Sequence, residues 1–552
     1  MSSAPAAPPA RSSAAGPVAF WLWAAGLRLW SLSTYATLPT VDHLRLDAAA
    51  YDELARRVVG GDLLLGPEPY HLSPLYTYLV AGIYAVTGGS VVAVLALQLV
   101  LGLAAVELTR RAALRLFGAP WSWVAAGLVA GYGPLVHAES QISVAAVSTL
   151  LGIALIERLV AWLDDDRAPL PPLALVGLLA GLAVVARPNA LLLLPPLLLC
   201  VAVVAWHRAG VRRAMTALLL SGAAMAAPIL PVTARNVVVA GEPILVTDSG
   251  GLNFYLGNGQ DANGAFRVPA QLPTATNAFA QFRLFREYAG SQVGRPLSAR
   301  EADAWWYDLT WREIAADRGA WAGVLLTKLR LVLANQELPN SDSFSLAQEL
   351  NAALLLAPVR WALLAPLALL GLGLAVAGRD RRLLVPAVWL TLMAGALVLF
   401  FVLSHYRVPL IGAVALLATA GLRWTWAAAR LRPAVAAVTV GLLAGGAWTS
   451  TRDVLEEPMS EEWRKLGYAY HVQGRLDEAA AAYLHSLDED ATNLSTRKNL
   501  ARLLMTRGLA GPAIEQWRAV VRIGSRTGAT RYVDEARAAL AQLGAPPEGS
   551  GP

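Results

Sequence analysis

The stretch "VVAVLALQLVLGLAAV" at residues 91–106 contains one polar side chain, Gln98, and no charged side chain. Such a run approaches the roughly 20 apolar residues that a helix needs to cross the hydrocarbon core of a bilayer. Comparable runs recur along the chain, at residues 173–185, 190–206, 214–229, 353–376, 383–403 and 433–448. The pattern predicts an all-α polytopic membrane protein.

The composition agrees with this fold class. The 552 residues are 56% hydrophobic and only 15% charged, whereas about a quarter of the residues in a soluble protein are charged. The net charge of +6 does not indicate a nucleic-acid partner, because the arginines mostly flank apolar runs, as the positive-inside rule requires. The single cysteine, Cys200, excludes a disulfide framework and a cysteine-based metal site.

Arginine clusters orient the predicted helices. A first span at residues 17–32 leads outward, a helix at 75–86 lies at the outer surface, and spans at 91–108 and 121–136 follow. About eleven spans, with the N-terminus inside and the C-terminus outside, satisfy the positive-inside rule. The clusters that mark the inner side include Arg110, Arg111 and Arg115, then Arg212 and Arg213, then Arg381 and Arg382, then Arg430 and Arg432.

The chain divides into three regions. Residues 1–16 form a disordered tail rich in Ala, Pro and Ser, and residues 17–450 form the membrane domain. Two large outer segments interrupt the membrane domain, at about 33–90 and about 235–351. Residues 460–545 have the polar, periodic sequence of a small soluble α-helical domain.

This last region contains an internal repeat. Leu466, Gly467, Tyr470, Gly474, Ala479 and Tyr483 recur 34 positions later as Leu500, Ala501, Leu504, Gly508, Ala513 and Trp517. The period and the W-x-x-L-G-x-x-Y pattern resemble a tetratricopeptide helix–turn–helix. Such repeats bind proteins or peptides, and an equally good interpretation is a packing or dimerisation module.

The first outer segment holds a carboxylate in a position suited to chemistry. Asp47 and Tyr51 lie four residues apart on a predicted helix at residues 46–59, so they share one face, while Asp52 and Glu53 point elsewhere. The latter two fit a solvated face. Asp47 stands nearest the end of the first span, where it could meet a substrate embedded in the membrane.

A family resemblance rests on this segment. The sequence "LDAAAYDELARRVVGGDLLLGPEPYHLSPLYTYLVAGIYAVTGGS" (46–90) resembles the first outer loop of the GT-C glycosyltransferases, in particular the dolichyl-phosphate-mannose protein mannosyltransferases and the bacterial aminoarabinose transferases. Asp47, Tyr51, Ala55, Gly60, Pro74, Leu75 and Gly88 fall on the family pattern. Later motifs follow in the family's order: "ARPNALLLLPP" (186–196), "TARNVVVAGEPILVTDSGGLNFYLGN" (233–258), "KLRLVLANQELPNS" (328–341) and "SHYRVPLI" (404–411).

The resemblance implies transfer of a sugar, with inversion, from a polyprenyl-phosphate donor to an acceptor hydroxyl on the outer face of a bacterial plasma membrane. Asp47 matches the family's general base. The leaving lipid phosphate needs fixed cations at the outer membrane boundary, and the candidates are Arg407, Arg235, His405, His71 and Arg187. Relatives carry Lys just before the Pro of the first-loop helix; here that position is Ser73.

Other polar residues are candidates for contacts with the sugar or the acceptor. Tyr51 shares the face of Asp47, and Asn253, Tyr255 and Asn258 lie in the Gly-rich stretch of the second outer segment. His137 and Glu139, after the third span, are further candidates for acceptor or metal contacts. No His, Asp or Glu group shows convincing metal spacing, so we expect no cofactor, although a divalent metal is compatible with the family. "DDD" at 164–166 fits a solvated charge run.

Two rival functions fit the same hydropathy. A transporter or lipid flippase would have many spans, but transporters usually show two matching halves with broken helices, which the sequence lacks. A membrane scaffold could act through the repeat region alone. In the glycosyltransferase hypothesis, the partners are the bilayer, the polyprenyl-phosphate sugar and a protein acceptor or partner enzyme bound by the repeats.

Overall fold

The computed structural model describes residues 15–546, except 168, 270, 274, 276, 341, 379, 457 and 458. This part of the chain is α-helical, with five short 3-10 helices and two isolated β-bridges instead of strands. The predicted all-α architecture is therefore confirmed. The predicted N-terminal tail, residues 1–16, lies almost entirely outside the described residues.

The described residues of the first half of the chain form nine α-helices. The helix predicted at residues 46–59 has those bounds in the structure, and the surface helix predicted at 75–86 is one residue longer at each end. The nine are α1 (Ala15–Tyr35), α2 (Leu46–Val59), α3 (Pro74–Thr87), α4 (Val91–Phe117), α5 (Ala119–Ala130), α6 (Gly133–Glu139), α7 (Ala145–Asp164), α8 (Pro171–Ala186) and α9 (Leu194–Ala240).

Ten further α-helices lie in the part of the region before the polar tail that the structure describes. They are α10 (Gly250–Asn258), α11 (Ala278–Val293), α12 (Ala299–Ala316), α13 (Arg318–Leu333), α14 (Phe344–Leu350), α15 (Trp361–Ala377), α16 (Leu384–Leu399), α17 (Ser404–Arg407), α18 (Ile411–Leu431) and α19 (Pro433–Ser450). The 3-10 helices are Pro39–Val41, Pro188–Leu193, Ala352–Leu356, Arg381–Leu383 and Val408–Leu410.

Six helical segments of the described chain are long and apolar enough to cross a membrane. They contain α4, α7, α9, α16, α18 and α19, while α3, α5, α8 and α15 are shorter apolar helices. The segment with α9 bends at Ala209 and Gly210, whose backbone angles are not helical. The multi-pass character is thus confirmed, and the count of about eleven spans, which also needs shorter helices and both arms of α9, stays a prediction.

The third predicted span is two helices rather than one. The prediction of a single helix at 121–136 is wrong because α5 ends at Ala130 and α6 begins at Gly133. Between them, the backbone oxygen of Gly131 accepts a hydrogen bond of 3.0 Å from the backbone nitrogen of Val359. The apolar pattern continued through this break, so hydropathy alone did not reveal it.

Glycine allows the closest helix contacts in the membrane region. A Cβ atom added to Gly371 on α15 would lie 1.9 Å from the backbone oxygen of Leu417 on α18. Gly177 on α8 is placed similarly against Ser221 on α9, at 2.1 Å. Small residues at such crossings let helix backbones approach each other within a bilayer, where apolar burial between helices gives little driving force.

The C-terminal region consists of five helices that pack in sequence: α20 (Met459–Val472), α21 (Leu476–Glu489), α22 (Leu494–Thr506), α23 (Ala510–Thr527) and α24 (Thr530–Gln542). Gly467 permits close pairing, since a Cβ atom there would lie 2.7 Å from the Tyr483 ring. Their identification as tetratricopeptide repeats stays a prediction.

This helical tail contacts the first outer segment. Gln473 donates a hydrogen bond of 3.2 Å to Asp42, and Arg475 donates one of 3.2 Å to the backbone oxygen of Thr37. The rings of His43 and Tyr468 lie 5.6 Å apart, edge to face. The tail therefore lies on the same side of the helical bundle as the loop that carries Asp47.

Candidate functional site

Asp47 lies in the first turn of α2, where a carboxylate interacts favourably with the positive end of the helix dipole. The residue before it, Leu46, has a φ of +48°, a left-handed conformation that is strained for a residue with a branched side chain. Leu46 also forms a bridge with Asn277 of the second outer segment. The two outer segments together fix the start of α2 and thus the position of Asp47.

The carboxylate of Asp47 is partly buried and held by a neighbour distant in sequence. Asn340 Nδ2 donates a hydrogen bond of 2.9 Å to Asp47 Oδ2. Burial raises the pKa of Asp47, while the Asn340 hydrogen bond and the positive charge of Arg187 oppose that rise. A raised pKa makes the carboxylate a better proton acceptor when it is ionised.

Asp47 borders a cleft between the first outer segment, α6 and the start of α17. The cleft brings together residues from four separate parts of the sequence. Its polar lining includes Asp47, Tyr51, His137, Asn340, Asp342 and His405. Four of the predicted site residues, Asp47, Tyr51, His137 and His405, therefore meet at one place.

Arg187 reaches the same site from the end of α8. Its guanidinium donates to the backbone oxygen of His405 at 2.8 Å and to the Ser148 hydroxyl at 3.2 Å, and it stacks 4.5 Å from the Tyr406 ring. Arg187 is absent from the cleft lining but close enough to attract the Asp47 charge. Within the described residues no ion pair within 4 Å joins them, so Arg187 acts on the Asp47 carboxylate through space rather than by direct contact.

His405 and Arg407 point to different environments despite being two residues apart. His405 lines the cleft, and its Nδ1 atom is buried without a hydrogen-bond partner in the described part of the chain. The Arg407 guanidinium is 1% exposed, forms an ion pair of 2.6 Å with Glu337 and stacks on Trp361 at 4.7 Å. It does not line the cleft, because Glu337 and three backbone carbonyls hold it elsewhere.

The Arg235 guanidinium is likewise hydrogen-bonded to backbone carbonyls. It donates hydrogen bonds to the carbonyl oxygens of Leu64, Leu65 and Glu68, at 2.6 to 2.7 Å, and stacks 4.2 Å from the Tyr70 ring. These contacts shape the first outer loop. The structure gives Arg235 no place in the Asp47 cleft.

His71 lies between two carboxylates rather than in the cleft. Its Nδ1 atom pairs closely with Asp248, its Nε2 atom lies 3.1 Å from Glu68, and its ring stacks on Phe282 at 5.4 Å. Although burial disfavours the charged ring, the two carboxylates raise the pKa of His71 to about 9. Glu68 also pairs with Arg286, so the charges of this cluster neutralise one another.

His137 and Glu139, which follow the third predicted span, lie in different environments. The His137 ring lines the cleft and hydrogen-bonds to the Tyr35 hydroxyl and, at 2.7 Å, to the Gln141 amide. Glu139 turns away and forms a buried ion pair of 2.8 Å with Arg28 of α1. In the described residues, no group of three or more His, Cys, Asp or Glu side chains is arranged to hold a metal ion.

The three candidates on α10 lie outside the cleft lining. Asn258 is buried, donates to the backbone oxygens of Phe254 and Leu399 and accepts from Lys328 Nζ at 2.8 Å. Tyr255 packs 4.7 Å from the Trp306 ring. Asn253 is half-buried on the same helix. The contacts of Asn258 and Tyr255 serve the packing of the second outer segment.

Sequence reasoning missed two polar residues of the cleft. Asn340 lies within the motif at 328–341 and Asp342 directly follows it, but nothing in their spacing indicates proximity to Asp47. Burial raises the pKa of Asp342 to about 6, with smaller opposing effects from Arg45 and Lys465. Asp342 therefore places a second carboxylate in the cleft, next to the tail residue Lys465.

Comparison of the sequence with protein-family models and with curated proteins finds no match. Among solved structures, the apo oligosaccharyltransferase of Archaeoglobus fulgidus is 12% identical, with a TM-score of 0.41, over 80% of this chain and 58% of that chain. ArnT from Cupriavidus metallidurans bound to undecaprenyl phosphate is 15% identical, with a TM-score of 0.36, over 76% of this chain and 80% of that chain.

A third solved structure is the archaeal oligosaccharyltransferase AglB from Archaeoglobus fulgidus in complex with an inhibitory peptide and a dolichol-phosphate. It is 11% identical, with a TM-score of 0.39, over 83% of this chain and 60% of that chain. This chain thus spans less than two thirds of the length of both oligosaccharyltransferases. TM-scores below 0.5 do not establish a shared fold, so these likenesses carry no weight for the activity of this chain.

Proposed function

We propose that this protein is a membrane glycosyltransferase that moves a sugar from a polyprenyl-phosphate donor to an acceptor hydroxyl, with Asp47 as general base. The observation that supports the proposal best is the arrangement around Asp47. A carboxylate with a raised pKa, held by Asn340, borders a polar cleft and lies within electrostatic reach of the Arg187 cation. A base and a cation so placed suit transfer from a phosphate leaving group.

In this mechanism the acceptor lies in the cleft with its hydroxyl directed at Asp47. The carboxylate takes the hydroxyl proton as the acceptor oxygen forms a bond to the anomeric carbon of the sugar. The bond between that carbon and the phosphate oxygen breaks, and its electron pair leaves with the lipid phosphate. Attack from the face opposite the phosphate inverts the anomeric configuration.

Arg187 is the best supported ligand for the leaving phosphate. Its contacts with a backbone carbonyl, a hydroxyl and the Tyr406 ring hold the guanidinium, and no carboxylate of the described residues lies within ion-pair distance of it. His405, whose Nδ1 atom has no partner in the described chain, is a second polar contact for donor or acceptor. Arg407, Arg235 and His71 are occupied by carboxylates or carbonyls, and we assign them to the framework of the site.

The remaining substrate contacts follow from the cleft lining. Tyr51, His137 and Asp342 line the cleft, and we propose that they contact the sugar or the acceptor. The helical tail lies on the same side as the cleft, so it can bring a protein acceptor or a partner enzyme to the site. We place this side on the outer face of a bacterial plasma membrane, as the arginine distribution indicates.

The test uses the purified full chain, a panel of polyprenyl-phosphate-linked sugars and a mixture of peptide, lipid and glycan acceptors. We expect the parent protein to release polyprenyl phosphate, and the Asp47→Asn variant to lose at least about a hundred-fold of the rate, because general base catalysis contributes about 10²–10⁴-fold. The matched control is Asp52→Asn on the same helix, whose carboxylate pairs with Arg56 instead. Equal loss in both variants, or unchanged release in Asp47→Asn, would contradict the assignment.

A further inference from the structure

A second cavity, the lateral groove, lies between α13, α15 and α19. It has a volume of about 510 Å³ and mostly apolar walls. Several wall residues are exposed, including Leu442 at 73% and Leu369 at 50%. The side chains that make the apolar wall include Leu333, Ala365, Leu369, Leu370, Leu442 and Leu443. None of the groove residues lines the Asp47 cleft.

The groove opens toward the surroundings of the helical bundle. Only 11% of the residues of α19 are buried inside the protein, so this helix lies at the periphery. It packs against α15 at Gly446, where an added Cβ atom would lie 3.3 Å from a Pro366 side-chain carbon. An exposed apolar wall of this kind, on a helix of spanning length, faces lipid chains in the bilayer.

Two arginines mark one end of the groove. Arg330 lies in the last turn of α13, Arg452 follows the end of α19, and both line the cavity. Both side chains are exposed, and neither has an ion pair or hydrogen-bond partner among the described residues. The neighbouring acid Asp453 lines a separate polar cavity. Among the described residues that line the groove, the mouth therefore carries two positive charges and no carboxylate.

This charged end lies on the same side as the Asp47 loop. The backbone nitrogen of Asn335 donates a hydrogen bond of 2.7 Å to the backbone oxygen of Ser450, which ties the segment after α13 to the end of α19. The chain then continues into the tail that contacts the first outer segment. The groove thus combines apolar walls at membrane depth with a basic mouth at one membrane surface.

We propose that the lateral groove binds one anionic phospholipid of the surrounding bilayer, with its phosphate at Arg330 and Arg452 and its acyl chains along the apolar walls. Guanidinium groups bind phosphate through paired, charge-assisted hydrogen bonds. Because the described lining of the mouth holds two cations and no carboxylate, a headgroup with net negative charge fits better than a zwitterionic one. The proposal does not depend on glycosyl transfer, because the groove and the Asp47 cleft share no residue.

The experiment is native mass spectrometry of the full chain reconstituted in vesicles of equal parts phosphatidylglycerol and phosphatidylcholine. We expect the parent protein to retain one phosphatidylglycerol in preference to phosphatidylcholine by about ten-fold or more, since hydrogen bonds to charged groups are among the strong ones. The double variant Arg330→Gln/Arg452→Gln should lose this preference by a similar factor. Both side chains are exposed, so the variant is expected to fold.

The matched control is Arg318→Gln/Arg432→Gln, which removes exposed arginines at the opposite ends of the same two helices. This control should keep the parent preference. Equal retention of the two phospholipids by the parent, or equal preference in both double variants, would overturn the proposal. A competition with added undecaprenyl phosphate gives a second test. If this lipid displaces the phospholipid from the parent but not from Arg330→Gln/Arg452→Gln, the groove binds the polyprenyl lipid and the proposal is overturned.

Discussion

Removal of the Asn340 side chain tests how the protein sets the basicity of Asp47. Asn340 Nδ2 donates to Asp47 Oδ2 at 2.9 Å, and this bond stabilises the ionised carboxylate against the burial that raises its pKa. Asn340→Ala leaves burial in place and removes the bond. The pKa of Asp47 in the variant should therefore rise further, and the general base should be ionised only at higher pH.

The magnitude follows from the strength of the lost bond. A hydrogen bond to a charged group contributes about 1.5–3 kcal/mol, and 1.36 kcal/mol corresponds to one pH unit. The acid limb of kcat/KM should thus move upward by roughly one to two pH units in Asn340→Ala. Asn340→Asp should move it at least as far, because a second negative charge next to Asp47 disfavours ionisation.

The assay is the initial rate of polyprenyl phosphate release between pH 4.5 and 8.5, with donor well below KM. The control is Asn263→Ala, which removes an outer-segment amide whose oxygen, among the described residues, bonds only to the backbone of Ala265. The control should keep the parent profile. An acid limb that stays in place in Asn340→Ala, or one that moves to lower pH, would refute the assignment of Asp47 as the titrating base.

Other predictions concern single residues and the orientation of the tail. Arg187→Gln should lower kcat by roughly 10²–10³, as loss of a charge-stabilising donor does, with little change in melting temperature. Arg407→Gln should instead destabilise the fold by about 3–5 kcal/mol in a thermal melt, because it leaves a buried carboxylate unpaired. Gly371→Ala should lower the melting temperature of detergent-solubilised protein, since its Cβ would meet a backbone oxygen at 1.9 Å, and Gly373→Ala, whose Cβ would meet open space, should not. Protease added to intact spheroplasts should remove the helical tail, and a protected tail would contradict the proposed orientation.

Local sequence patterns predicted where helices occur but not where a predicted helix is interrupted. The bounds of α2 and α3 followed from turn residues and periodicity, and the apolar runs gave the helices of spanning length. The break at Gly131 did not follow, because it depends on a backbone bond to Val359 from a distant part of the chain. A hydropathy pattern contains no information about such a partner.

The same limit applies to the site. Asp47 could be selected from its place at the start of an outer helix, but its partner Asn340 lies 293 residues away. The sequence makes Arg407 a candidate phosphate ligand, but the structure pairs it with Glu337. Which arginine remains for the phosphate depends on contacts with distant parts of the chain, and only the tertiary structure reveals them.

The most direct test of the central claim follows the fate of the lipid-linked sugar in sealed proteoliposomes that contain the full chain. Donor labelled in both the sugar and the phosphate is added to one side together with acceptor. Our account predicts that the two labels separate, with the sugar on the acceptor in inverted configuration and the phosphate on the lipid. Intact donor that moves across the bilayer with both labels still joined would contradict it and identify a lipid transporter instead.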